Sequence, residues 1–115
     1  MLIRSQDKRI IVNFDNICTV SAFPEKDSED IYVEDGTGSL MVGRYSTKAK
    51  SMKVLDMIQE AYGDSEYTKY VIPEVCRILS MKPKTEENKA HAGELGEMLK
   101  KGMTFQMPED SEVEA

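Results

Sequence analysis

Four cations crowd one stretch of this chain. Arg44, Lys48, Lys50 and Lys53 surround the point where an apolar strand pattern gives way to a helical one. Cations at a helix start oppose the positive end of the helix dipole, each at a cost of roughly a few tenths of a kcal/mol. An anion seated there would reverse that cost, because unpaired backbone N–H groups, the dipole and the lysines all favour a phosphate or carboxylate. These residues are therefore the candidate contact for an anion, a nucleotide or an acidic partner segment, and the chain's own acidic end is one such segment. The competing reading is a solvated basic face.

Other residues able to do chemistry are sparse. His91 is the sole histidine and lies in a polar, glycine-containing stretch, so it reads as surface, and no zinc site can be built from several histidines. Cys18 and Cys76 share no CxxC or ligand spacing and read as reduced thiols acting as small hydrophobes. Gly36-Thr37-Gly38 lacks the GK[ST] ending of a phosphate loop and falls between two strand patterns, which makes its glycines turn residues. Glu25, Asp27, Glu29, Asp30, Glu34 and Asp35 are dense but miss the EF-hand spacing, so they read as a solvated acidic loop. No catalytic residue, cofactor or metal ligand is assigned, and an enzyme is not expected.

Any such cluster needs a fold to position it, and 115 residues suit one domain with a modest core. The chain is 40% hydrophobic and 31% charged, as in ordinary globular proteins, and its longest apolar runs fall well short of the roughly 18 residues of a membrane span. Met1 leads into LIRSQDKRIIV without a signal-peptide pattern, so a cytoplasmic location is expected. With 21 acidic against 15 basic residues the net charge is −6. That sign makes direct nucleic-acid binding an unfavourable reading, because such binding rests on cations meeting phosphates. Protein partners fit it better.

The best-patterned stretch runs from Leu40 to Gly63. A strand over 40–45 leads into a helix over 46–62, with Ser46 as the expected N-cap and Gly63 as the stop. Met52, Leu55, Ile58 and Tyr62 fall at helical spacing and predict the face that covers a sheet. Val54, Met57 and Ala61 widen that face, either as more core or as an interface with a second chain in a homodimer.

Upstream, 1–5 and 9–14 read as a hairpin, 17–23 as a third strand stopped by Pro24, and 31–34 as a fourth that turns at Asp35-Gly36 into the fifth. Downstream, 73–79 reads as a short helix, with a strand as the alternative for 70–81. Thr85 opens a helix closing at Gly102, with Ala92, Leu95, Met98 and Leu99 as its thin apolar side. The expected fold is α+β: an antiparallel meander of about five strands packed by one main helix, a helical C-terminal half and a short terminal strand. One domain spans 1–107, and 108–115 is an acidic tail expected to be mobile.

Three blocks, LIRSQDKRIIVN, GRYSTKAKSMKVLDMIQEAY and FQMPEDSEVE, together resemble an uncharacterised family of small proteins of Gram-positive bacteria, their phages and their mobile elements. The resemblance implies a shared meander-plus-helix fold and a phage or mobile-element setting, and it carries over no activity. With the acidic charge, it leads to the expectation of an accessory protein that binds a host or phage protein. One specific form is an anti-CRISPR-like inhibitor that occupies the basic nucleic-acid channel of a host defence nuclease. The alternative is a small regulatory module binding an anion or nucleotide at Arg44, Lys48 and Lys50.

Overall fold

The computed structural model describes residues 1–81, 85–87, 89–90, 93–94, 97 and 104–114. Among the described residues six strands, β1 (Leu2–Arg4), β2 (Ile11–Asn13), β3 (Thr19–Pro24), β4 (Glu29–Glu34), β5 (Ser39–Tyr45) and β6 (Thr104–Gln106), accompany one long helix, α1 (Lys48–Ser80). The class is α+β, as the patterns predict.

The strands divide between two three-stranded sheets, ordered β2-β1-β6 and β3-β4-β5. The break in the meander has a local cause. After β2 the Asn13 side chain accepts the Asp15 N–H at 3.0 Å and opens a 3-10 turn over Phe14–Asn16, which bends the chain out of the first ladder. The first sheet gains its third strand from the far end of the chain, where β6 lies parallel to β1 with Ile3 opposite Phe105. In the second sheet the Asp35-Gly36 turn forms as predicted. Gly36 takes a φ of 93°, and the Asp35 carboxylate accepts both the N–H and the hydroxyl of Thr37.

The helix departs furthest from the sequence reading. Its N-cap is Thr47, whose hydroxyl accepts the Lys50 N–H at 3.2 Å, and not Ser46. It also runs on through Gly63 and Pro73 to Ser80. The reason is a buried face that stays in helical phase across the glycine: Ser51, Val54, Ile58, Ser65, Thr68 and Ile72 are all buried, and Ala61 is half-buried. At about 1.5 Å per residue its 33 residues extend roughly 50 Å, past the sheets it covers. The short helix over 73–79 is thus the end of α1, and the strand alternative for 70–81 is corrected.

Relative to the expected stripe, the buried face is rotated. Met52 is 47% exposed and Tyr62 38% exposed, while Leu55 is half-buried. Val54, offered as interface, is fully buried and belongs to the core; Met57 and Ala61 are half-buried beside it. One continuous core joins Ile3 of β1, Ile31 and Val33 of β4, Val42 and Tyr45 of β5, Val54 and Ile58 of α1, and Met107 and Val113 from the C-terminal segment. In the stretch 85–101, residues 86–87, 89–90, 93–94 and 97 are helical. His91, Ala92, Leu95, Met98, Leu99 and Gly102 lie outside the described residues.

Candidate functional site

The four-cation cluster does not stay together. Arg44 leaves the helix start for the outer face of the β3-β4-β5 sheet, where it lies directly opposite Asp30 in the ladder. Its Nε donates to Asp30 Oδ1 at 3.1 Å and its second guanidinium nitrogen to Oδ2 at 3.2 Å, a two-pronged pair. Asp30 is fully buried, yet this guanidinium holds its carboxyl below the ordinary range, with the Ser28 hydroxyl adding a third hydrogen bond at 2.9 Å.

Lys50 and Lys53 remain at the helix start, and the C-terminal segment comes to them. Asp110 Oδ1 accepts the Ser46 N–H at 2.7 Å, and Lys50 Nζ donates to the Asp110 carbonyl at 2.9 Å and to its carboxylate at 3.3 Å. Lys53 Nζ reaches the Glu114 carbonyl, and Lys48 is exposed. Of the occupants the sequence left open for this seat (an anion, a nucleotide or an acidic segment), the chain's own acidic end lies there, through the Asp110 carboxylate. The positive helix end and the two lysines explain why an aspartate settles there. This corrects the mobile tail: residues 108–114 run along the start of α1, with Val113 buried in the core.

Gln6 completes the same junction. Its side-chain oxygen accepts the Arg44 N–H at 2.9 Å while its amide nitrogen donates to the carbonyls of Arg44 at 3.1 Å and Pro108 at 3.2 Å. One primary amide thus stands in for a strand residue along the edge of β5. Gln106 does similar work between the Ser5 and Met107 carbonyls. Three separate stretches of the chain meet here, in Gln6, Arg44 to Ser46, and Pro108 to Asp110. Their side chains tie backbone to backbone.

A second site was not singled out by the sequence. On the outer face of the β3-β4-β5 sheet, Phe23 is 59% exposed and sets its ring edge-on to Tyr32, with centroids 6.5 Å apart and planes at 89°. Met41 stands directly opposite Tyr32, and Arg44 lies two pairs further along. Glu25, Glu34 and Ser39 border the rings, and with Ser21 they line an open hollow of about 300 Å³. The available signal was strand parity. Val20 and Ala22 face the core, so Ser21 and Phe23 must face out, and the hairpin sets them beside Tyr32.

Cys18 and Cys76 are free thiols, and Cys18 is exposed, not buried as expected. Among the described residues no helix is long and apolar enough to cross a membrane. Compared with models of protein families, with curated proteins and with solved structures, the chain matches none.

Proposed function

We propose that this protein acts without catalysis, by binding another protein through the outer face of the β3-β4-β5 sheet. The observation that carries this reading is the exposed Phe23 ring set against the half-buried Tyr32, with Met41 and Arg44 alongside. Aromatic, methionine and arginine side chains are the types enriched at the centres of protein interfaces. The acidic border of Glu25 and Glu34, within a chain of net charge −6, favours a partner with a basic surface. In the phage or mobile-element setting that the three sequence blocks imply, a host defence nuclease offers such a surface in its nucleic-acid channel. The protein would then be an accessory factor that fills this channel in place of nucleic acid.

The test is a pull-down with the full chain as bait from host cells carrying a defence nuclease, followed by salt titration of the captured complex and a DNA-cleavage assay. Capture that weakens as salt rises, together with cleavage that falls as the protein is added, is expected. Salt-indifferent capture with undiminished cleavage would remove the electrostatic basis of the reading.

A further inference from the structure

We infer that the hollow bordered by Phe23, Tyr32, Glu25 and Glu34 is a seat for one cationic side chain, an arginine or lysine projecting from the protein partner. The inference rests on the protein-binding reading above and names what that face grips. Its volume of about 300 Å³ lies at the lower limit of ligand pockets, so it suits a single extended side chain better than a larger ligand.

The walls supply two kinds of attraction to a cation. Phe23 and Tyr32 present ring surface, which attracts guanidinium and ammonium groups through the negative faces of their π systems. Glu25 and Glu34 supply carboxylates, each with a hydroxyl at the long limit of hydrogen bonding. The Tyr32 hydroxyl donates to Glu25 at 3.4 Å, and the Thr19 hydroxyl donates to Glu34 at 3.4 Å.

The same face already shows the chemistry once. Two pairs along the ladder, Asp30 takes the Arg44 guanidinium in a two-pronged bond beside Met41. Asp30 is thereby satisfied from within the chain. Among the described residues Glu25 and Glu34 are in no ion pair. The face thus retains two carboxylates and an aromatic corner for a cation from outside.

The experiment titrates the labelled full chain with the peptide Gly-Gly-Arg-Gly-Gly amide and with the same peptide carrying neutral citrulline, reading backbone amide shifts by NMR. The arginine peptide is expected to shift Ser21, Phe23, Tyr32 and Ser39, and the citrulline peptide to leave them in place. The double variant E25Q/E34Q should weaken arginine-peptide binding at least tenfold, as should Phe23→Leu, whereas D56N/E60Q on the exposed side of α1 should not. Equal shifts from both peptides, or equal weakening by D56N/E60Q, would overturn the seat. Binding of free arginine as tight as that of the peptide would overturn the assignment to a partner's side chain. A partner still captured by E25Q/E34Q sinks the seat and spares the protein-binding reading; a seat that binds peptide in a protein capturing no partner does the reverse.

Discussion

Tyr45 and Pro108 stand 63 residues apart in the chain and 2.8 Å apart in the fold, with the buried phenol donating to the proline carbonyl. Burial, with Glu109, Asp110 and Glu112 nearby, pushes the Tyr45 pKa well above its usual value, so the hydroxyl remains a donor throughout the working range. The same carbonyl also accepts from Gln6. Tyr45→Phe therefore leaves it with one partner and should cost about 1 kcal/mol. Tyr45→Ala, which also empties a fully buried site, should cost about 3–5 kcal/mol. Urea denaturation of both variants measures the difference, and equal losses would show that the hydrogen bond, not the ring, dominates.

Asp110 makes stability depend on acid. Its folded carboxyl lies below the ordinary 3.8, chiefly through the Ser46 N–H and then through Lys50. A depressed folded pKa contributes stability that is complete above the unfolded value and is lost as pH falls through the folded one. Asp30, depressed by Arg44, has the same sign. The melting temperature should therefore hold steady down to about pH 4 and drop below it. Asp110→Asn should melt lower than the parent at neutral pH, and the gap should narrow as the pH drops under 3.8. A gap of constant size across the titration would separate Asp110 from the acid response.

At Gly43 the backbone of β5 runs close against the Tyr45 ring and the end of Met107. A Cβ there would stand 3.0 Å from Tyr45 Cε2, 3.1 Å from the Tyr45 hydroxyl oxygen and 3.1 Å from Met107 Cε. The methionine end can swing aside, but the tyrosine is fixed at both ring and hydroxyl. Gly43→Ala should cost about 1–3 kcal/mol through overpacking. Gly38 has open space around it, so Gly38→Ala should stay within about 0.5 kcal/mol of the parent. Thermal denaturation of the pair tests the close approach.

These relationships divide the legible from the illegible along a physical line. Signals that act within a few residues were readable: the Asp35-Gly36 hairpin, the strand running into a helix at Tyr45, and the helix-start lysines in need of an anion. The identity of that anion was open, because Asp110 lies 64 residues from the Ser46 N–H it accepts, and only the folded path brings them together. The break into two sheets hid for a similar reason, since β1 finds β6 across nearly the whole chain. On the outer face, Phe23 and Tyr32 carried no motif, and their pairing follows from ladder register. The buried side of α1 was obscured by composition, because Ser65 and Thr68 are polar residues placed where an apolar stripe was sought.

Gly63 offers the sharpest check on that last point. Read from sequence it ends the helix, a role that requires a left-handed conformation and makes alanine costly there. In the structure it lies inside α1, is exposed, has open space around a would-be Cβ and does not share the positive φ of Gly36. The two placements give opposite signs for one substitution. Within a continuous helix Gly63→Ala removes backbone freedom from the unfolded chain and should stabilise the protein by about 0.5–1 kcal/mol, raising the melting temperature and the helical circular-dichroism signal slightly. At a left-handed helix end the same change would destabilise. A lowered melting temperature would therefore place a break at residue 63 and detach Ser65, Thr68 and Ile72 from the face that Val54 and Ile58 begin.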